Sequence, residues 1–212
     1  MIRALISDFG GVLTTPLQEG FLAYQEESGI SLEQLGSAMG KATAEHGDHP
    51  LFELERGEIN EEEFGRRLAA HLEPGFDLRR MRDVYVGTMR PNRQMIDFVT
   101  ELRGRGLRAA LLTNNVREWE PLWRAKLPEI DELFEIVVDS GFVGMRKPER
   151  GIYELTIERL GGVTAGECVF LDDLEVNCEA ARELGMSAVR FATTDQAIAD
   201  IEAVLTAGGP EK

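Results

Sequence analysis

The stretch MIRALISDFGGVLT, residues 1–14, decides how the whole chain is read. Ala4, Leu5 and Ile6 form a short apolar run, too near the first residue to be one face of an amphipathic helix. Asp8 and the pair Gly10–Gly11 bound it, which is the pattern of a buried strand ending in a sharp turn. In open parallel sheets ligands collect at the carboxyl ends of the strands. Asp8 therefore stands where a reactive carboxylate is expected, ahead of two glycines that let backbone N–H groups approach an anion. An Asp in this place can also simply end a strand and shape its turn. These residues alone leave both readings open.

Downstream of Pro91 strand and helix patterns alternate. Apolar runs at Leu107–Leu112, Phe134–Val138, Cys168–Leu171 and Ser187–Phe191 read as strands. Helical patterns lie around Met95–Leu102, Arg117–Leu127, Ile152–Leu160, Val176–Leu184 and Asp195–Leu205. Gly141–Gly144 reads as a Gly-rich loop. This alternation implies βαβ units, hence an α/β fold with a Rossmann-like, doubly wound parallel sheet. Residues 15–88 are different: acidic, helical in pattern and without a convincing strand. Helices are expected over Leu17–Ser28, over Leu32–Glu45 with Ser31 as N-cap, and after Asn60, whose following acids suit a helix N-terminus. That helix is expected to end near Pro74–Gly75, and another to span Leu78–Val86. The organisation expected is a discontinuous core of residues 1–14 and 89–212, with a small α-helical cap at 15–88. Inserted after the first strand, it sits above the carboxyl edge as a lid.

Composition bounds the partners. A net charge of −15 over 212 residues argues against nucleic acid and against an anionic membrane surface. Cys168 and Cys178 make neither a disulfide framework nor a CxxC knuckle, and read as buried thiols of a reducing compartment. With no leader pattern and no apolar run of about 18 residues, the expectation is a cytoplasmic protein, monomeric or homodimeric.

The strand ends carry one chemical set: Asp8, then Thr113–Asn114, then Lys147 in a loop, then Asp172–Asp173. Converging carboxylates repel each other unless a cation neutralises them, and hard oxygen donors with a substrate phosphate suit Mg²⁺. A hydroxyl, an amide and an ammonium suit the oxygens of a transferring phosphoryl group. Asp8 as nucleophile would form an aspartyl-phosphate and split hydrolysis into two steps.

The motifs DFGGVLT (8–14), LLTNN (111–115), MRKPERGIY (145–153) and FLDDLEVNCEAARELGM (170–186) fall in order across the chain outside the insert. The chain resembles the haloacid dehalogenase superfamily. Within it the chain is most similar to the branch holding the phosphatase domain of soluble epoxide hydrolase and bacterial sugar-1-phosphate phosphatases. That resemblance implies Asp8 as nucleophile and metal ligand, with the Gly10 carbonyl and Asp173 as further ligands and Asp172 acting directly or through water. It implies Thr113, Asn114 and the Gly11 amide as phosphoryl contacts, and Lys147 as the group that neutralises charge and orients Asp8. Asn177 would support the Asp pair through the following helix. The chain departs from the family in one place: a second aspartate, the general acid and base, usually stands where this sequence has Gly10. Its loss corresponds to about 10²–10⁴-fold in rate, and favours substrates with good leaving groups unless an insert residue or water replaces it.

The function expected is a Mg²⁺-dependent phosphatase of small phosphorylated metabolites such as sugar phosphates. The alternatives are a non-catalytic ligand-binding or interaction protein, and a metal-free 2-haloacid dehalogenase, against which the Asp172–Asp173 pair speaks. His46 and His49 have a spacing that invites a metal but lie across Gly47, in a pattern that reads as surface loop. Trp119 and Trp123 read as helix-to-sheet packing, and Arg146 as either an anion contact or a solvated loop residue.

Overall fold

The computed structural model describes residues 1–72 and 76–207. Five parallel strands, β1 (Ala4–Ser7), β2 (Arg108–Thr113), β3 (Ile136–Asp139), β4 (Cys168–Asp172) and β5 (Ser187–Arg190), form one sheet in the order β3-β2-β1-β4-β5. Both faces are covered, so the strand interiors are largely apolar and alternate residues feed opposite cores. Leu5, Ala109, Leu111, Val169 and Leu171 pack on one side; Ala4, Ile6, Ala110, Leu112, Cys168 and Phe170 pack on the other.

Between β1 and β2 the chain builds α1 (Leu17–Ser28), α2 (Leu32–His46), α3 (Pro50–Glu55), α4 (Glu61–Ala69), α5 (Leu78–Thr88) and α6 (Arg93–Gly104). After β2 come a 3₁₀ turn (Arg117–Trp119), α7 (Glu120–Arg124) and α8 (Ile130–Leu133). Then follow α9 (Ser140–Val143), α10 (Arg150–Leu160), α11 (Glu175–Glu183) and α12 (Thr194–Ala207). The local chemistry explains the ends. Ser31 and Gln34 make a reciprocal capping box, the Asn60 side chain accepts from Glu63 N–H, and Gly29 and Gly47 close α1 and α2 in the left-handed conformation. The expected helix stop at Pro74–Gly75 lies outside the described residues; α4 itself ends earlier, at Ala69.

Two expectations need correction. The single helix over Arg117–Leu127 is instead a 3₁₀ turn running into α7 and ending at Arg124, because Pro121 fits only a first helical turn and makes the chain begin again there. Gly141–Gly144 is not a loop: Asp139 caps the turn α9 by accepting from Gly141 N–H, and only Gly144 adopts the left-handed backbone.

Helices α1–α5 stand over the carboxyl edge of the sheet and share a continuous apolar core with it. Tyr24, Leu54, Phe64 and Met81 belong to the same cluster as Phe9, Val116 and Trp123. The chain enters and leaves this insert through a narrow neck. Thr14 and Pro91 form an antiparallel bridge, Thr15 N–H donates to the Arg90 carbonyl (3.0 Å), and Asn92 N–H donates to that of Leu13 (2.8 Å). Away from the neck a second seam joins insert to sheet. Arg56 pairs with Glu149 at 2.7 Å, and Arg146 pairs with Glu55 at 2.6 Å while lying on the Phe52 ring. Gly57 is obligatory in this seam: its φ is +70°, and a Cβ would come within 2.5 Å of the Gly141 carbonyl oxygen. Both cysteines are free and buried. Among the described residues no helix is long and apolar enough to cross a membrane.

Candidate active site

Strand order places the site. β1 lies between β2 and β4, so Asp8, one residue beyond β1, is flanked by Thr113 at the end of β2 and Asp172 at the end of β4. The chain runs from β1 outward through β2 to β3 and then crosses back to β4 on the other side of β1, and this reversal opens the crevice where such sheets bind ligands. Lys147 reaches in from the loop after α9, with its ammonium 2.7 Å from both Asp8 Oδ1 and Asp172 Oδ2 and its side chain 1% exposed. Asn114 fixes that loop, donating to the Lys147 carbonyl (2.9 Å) and accepting from Lys147 N–H (2.8 Å). The predicted phosphoryl contact thus spends its side chain on placing the lysine, although it does line the cavity.

Asp172 is wholly buried, and both its oxygens are engaged. Oδ2 accepts from Lys147, while Oδ1 accepts from Leu174 N–H and from Asn177, each at 2.9 Å. Asp173 is closer to solvent and sits against Gly11, where a Cβ would fall 2.5 Å from its Oδ2. With φ at +76°, Gly11 serves the turn and the close approach together. Gly10 is another matter: its backbone is ordinary, and a Cβ there would meet nothing within 4 Å. No steric demand of the folded chain excludes a side chain at that position.

One carboxylate oxygen from each of Asp8, Asp172 and Asp173 falls within 4.8 Å of the others. Burial pushes the Asp8 carboxyl up to about 7; Lys147 works against this, and Asp172 and Asp173 add to it. Burial and Asp172 raise Asp173 as well. For Lys147 burial acts to lower the pKa, but Asp172 and Asp8 outweigh it and hold it at about 12, so the ammonium keeps its proton. A single ammonium shared between two carboxylates leaves the third without an ion partner among the described residues. Hard oxygen donors in excess of cationic charge fit a divalent ion such as Mg²⁺. The Thr113 hydroxyl and the N–H groups of Phe9, Gly10 and Asn114 make no hydrogen bond among the described residues, leaving donors at the same strand ends for an anion.

Above this polar floor is a cavity of about 220 Å³. The insert contributes Leu17, Phe21, Met39, Leu51, Leu54, Phe64, Met81 and Tyr85, and the sheet side adds Phe9, Val116, Trp119 and Leu174. Sequence reading missed this roof, because an amphipathic helix facing a core and one facing a cavity carry the same pattern. Trp119 lines the cavity and donates to Glu61 Oε2 of α4 at 2.8 Å, so only Trp123, buried against Phe9, is plain packing. Arg146 is not a solvated loop residue: it lines the cavity, with Nε donating to Glu55 and its guanidinium over the Phe52 ring. Glu55 was also missed: it lines the cavity, and its partner lies 91 residues away. His49 stacks on Phe52, and among the described residues the grouped metal-type ligands are the three aspartates alone.

Comparison with known proteins points to one family. A family model described as haloacid dehalogenase-like hydrolase matches residues 2–185. The sesquiterpene phosphatase astK of Aspergillus oryzae is 28% identical over 87% of this chain and 87% of its own length. The rat bifunctional epoxide hydrolase 2 is 25% identical over 99% of this chain, which spans only 40% of that larger protein. Among solved structures, a predicted hydrolase of Porphyromonas gingivalis matches with a TM-score of 0.71 at 24% identity, covering 97% of this chain and 98% of its own. A Bacteroides thetaiotaomicron enzyme of the same fold, solved with magnesium and inorganic phosphate, matches at 0.65 and 23% identity, covering 91% of this chain and 95% of its own.

Proposed function

Because this chain belongs to the haloacid dehalogenase-like hydrolase family, we propose that it is a Mg²⁺-dependent phosphomonoesterase acting through an aspartyl-phosphate on Asp8. One observation carries the reading: three carboxylates and one ammonium converge at the central strand ends, beside unengaged hydrogen-bond donors. Mg²⁺ would be held by Asp8, Asp173 and the Gly10 carbonyl, with Asp172 behind them, and supplies positive charge to the carboxylates and the phosphoryl oxygens. Lys147 orients the Asp8 carboxylate and shares its negative charge. The Thr113 hydroxyl and the N–H groups of Gly11 and Asn114 hold the phosphoryl oxygens in line with Asp8. Asp172, locked by Lys147, Leu174 N–H and Asn177, keeps the floor rigid.

The cavity narrows the substrate class. A sugar phosphate carries several hydroxyls into its site, and each buried without a partner costs roughly 1–3 kcal/mol. The roof offers them little, since its lining is mostly apolar and Glu55 Oε2 is already taken by Arg146. The substrate proposed is therefore a phosphate monoester of an apolar alcohol, in place of the sugar phosphate expected from the motifs. The similarity to a sesquiterpene phosphatase supports this reading.

The test is phosphate release from a panel pairing alkyl, aryl and prenyl phosphates with sugar phosphates, with Mg²⁺ and with EDTA. Turnover of the apolar members that needs the metal and falls at least about 10⁴-fold in Asp8→Asn is expected. Activity that survives EDTA or Asp8→Asn, or a preference for sugar phosphates, overturns it. Halide release from haloacids would move the chain to the dehalogenase reading.

A further inference from the structure

Cleaving the phosphate ester of an alkyl alcohol expels an alkoxide, a leaving group too basic to depart fast without a proton. Among the described residues the floor has no group free to give one. Asp8 is the nucleophile, Asp173 belongs to the metal donor set, and Asp172 has both oxygens engaged. Lys147 is clamped between two carboxylates, and an arginine does not release its proton.

Two further titratable groups line the cavity, Glu55 and Tyr85. Burial, aided by Asp8 and Asp173, pushes the Tyr85 phenol up to about 12, so near neutral pH it keeps its proton and is ill suited to act as the base that activates water in the second step. Glu55 differs. It ends α3 directly before the seam, and its side chain is 15% exposed. Oε2 accepts from Arg146 at 2.6 Å, while Oε1 makes no hydrogen bond among the described residues. Arg146 is itself pinned on the Phe52 ring, so the carboxyl is held in place with one oxygen free. We propose that Glu55 of the insert is the general acid and base of this enzyme, supplying from the roof the proton that the floor, with Gly10, cannot.

The proposal rests on the phosphatase reading above. In the first step an Asp8 oxygen bonds to phosphorus as the P–O ester bond breaks. The ester electron pair goes to the departing oxygen, which takes the Glu55 proton, leaving an alcohol, phosphorylated Asp8 and a Glu55 carboxylate. In the second step that carboxylate takes a proton from water as the water oxygen bonds to phosphorus. The bond to Asp8 breaks with its pair returning to Asp8, and inorganic phosphate leaves with Glu55 protonated again. Burial raises the pKa of Glu55, with Arg146 opposing, which favours a carboxyl that can hold a proton between turnovers. Because Glu55 sits on the insert and its anchor on the sheet side, the donor is in place only while the seam is closed.

The experiment compares Glu55→Gln with the unaltered enzyme on an alkyl phosphate and on p-nitrophenyl phosphate, whose phenolate departs without a proton. The glutamine keeps an oxygen for Arg146. The expected loss in kcat/KM is at least about 10²-fold greater on the alkyl phosphate than on the nitrophenyl ester. Equal losses on both esters, or none on either, overturn the proposal. So does finding the selective loss in Tyr85→Phe instead. A series of aryl phosphates on the unaltered enzyme reads the same point without any variant: rates nearly independent of leaving group are expected, and a steep dependence refutes a donor. Asp8→Asn keeps the two questions apart. If it abolishes turnover while Glu55→Gln acts evenly, the phosphatase stands and Glu55 falls; if turnover persists in Asp8→Asn, the phosphatase reading itself falls.

Discussion

The floor and the roof of the cavity are built by opposite means. The floor is polar and comes from loops at the ends of parallel strands, where Asp172, Lys147 and Asn114 are each fixed by two or three polar contacts. The roof is apolar and comes from helix faces that also serve as core. A floor whose charges are fixed by neighbouring strands tolerates little change, because each group is a partner to several others. A roof made of side chains in van der Waals contact can be altered one residue at a time, at a cost set mainly by area and volume. Glu55 apart, the groups proposed for chemistry and those proposed for selectivity are thereby separated in the chain as well as in space.

The strongest way to break this comparison is at Lys147. Removing its ammonium in Lys147→Met leaves Asp8 and Asp172 buried without their counter-charge, so unfolding in urea should show a loss of about 3–5 kcal/mol along with the loss of activity. A stability equal to that of the unaltered protein would mean the floor is far less rigid than its hydrogen bonds imply. The roof should answer differently. Met39→Gln places an amide among apolar side chains, and is expected to raise KM for an apolar phosphate roughly 10–100-fold while kcat changes little. A fall in kcat instead would tie the roof to chemistry at that position.

Gly10→Asp sharpens the contrast by offering the floor a donor of its own. The open space at Gly10 admits the substitution. Turnover of an alkyl phosphate should rise by less than about tenfold while Glu55 is present, and by roughly 10²-fold in Glu55→Gln. A large gain in the unaltered background would show that the roof supplies no effective proton. The smallest effect is expected at Asp173, whose raised pKa means that its charge is unfavourable in the folded protein without a cation. For a carboxyl shifted upward this cost is present above the folded-state pKa and fades as pH falls below it. At neutral pH Asp173→Asn should therefore raise the melting temperature measured in EDTA by about 2–4 °C, and abolish any further rise on adding Mg²⁺. A lower melting temperature in EDTA would count against charge crowding at the floor.

The floor was legible in the sequence and the roof was not. Asp8, Thr113, Lys147, Asp172 and Asp173 were readable because short apolar runs mark strand ends, and one strand order puts those ends together. Even there a spacing could not show that Asn114 turns its amide to the Lys147 backbone, since that depends on where the loop after α9 passes. Helix ends with a capping residue were readable at Ser31 and Asn60, whereas Pro121 divided a stretch whose apolar pattern ran on unbroken. Glu55 carries no motif. Its partners belong to a different segment, and an acidic residue at the end of an acidic helix resembles a solvated one until the packing is known.

The neck at Thr14 and Pro91 has a consequence for descent. The segment entering the insert and the segment leaving it are joined there by hydrogen bonds, so the two points where the insert is attached lie side by side. A chain that exchanged everything between them for another segment would leave all five strands in register. Lineages can thus acquire new preferences by replacing one uninterrupted stretch of gene, with the sheet inherited intact. If Glu55 is the donor, however, each such exchange must also bring a new carboxyl or restore one at position 10, which limits how freely the replacement can be made.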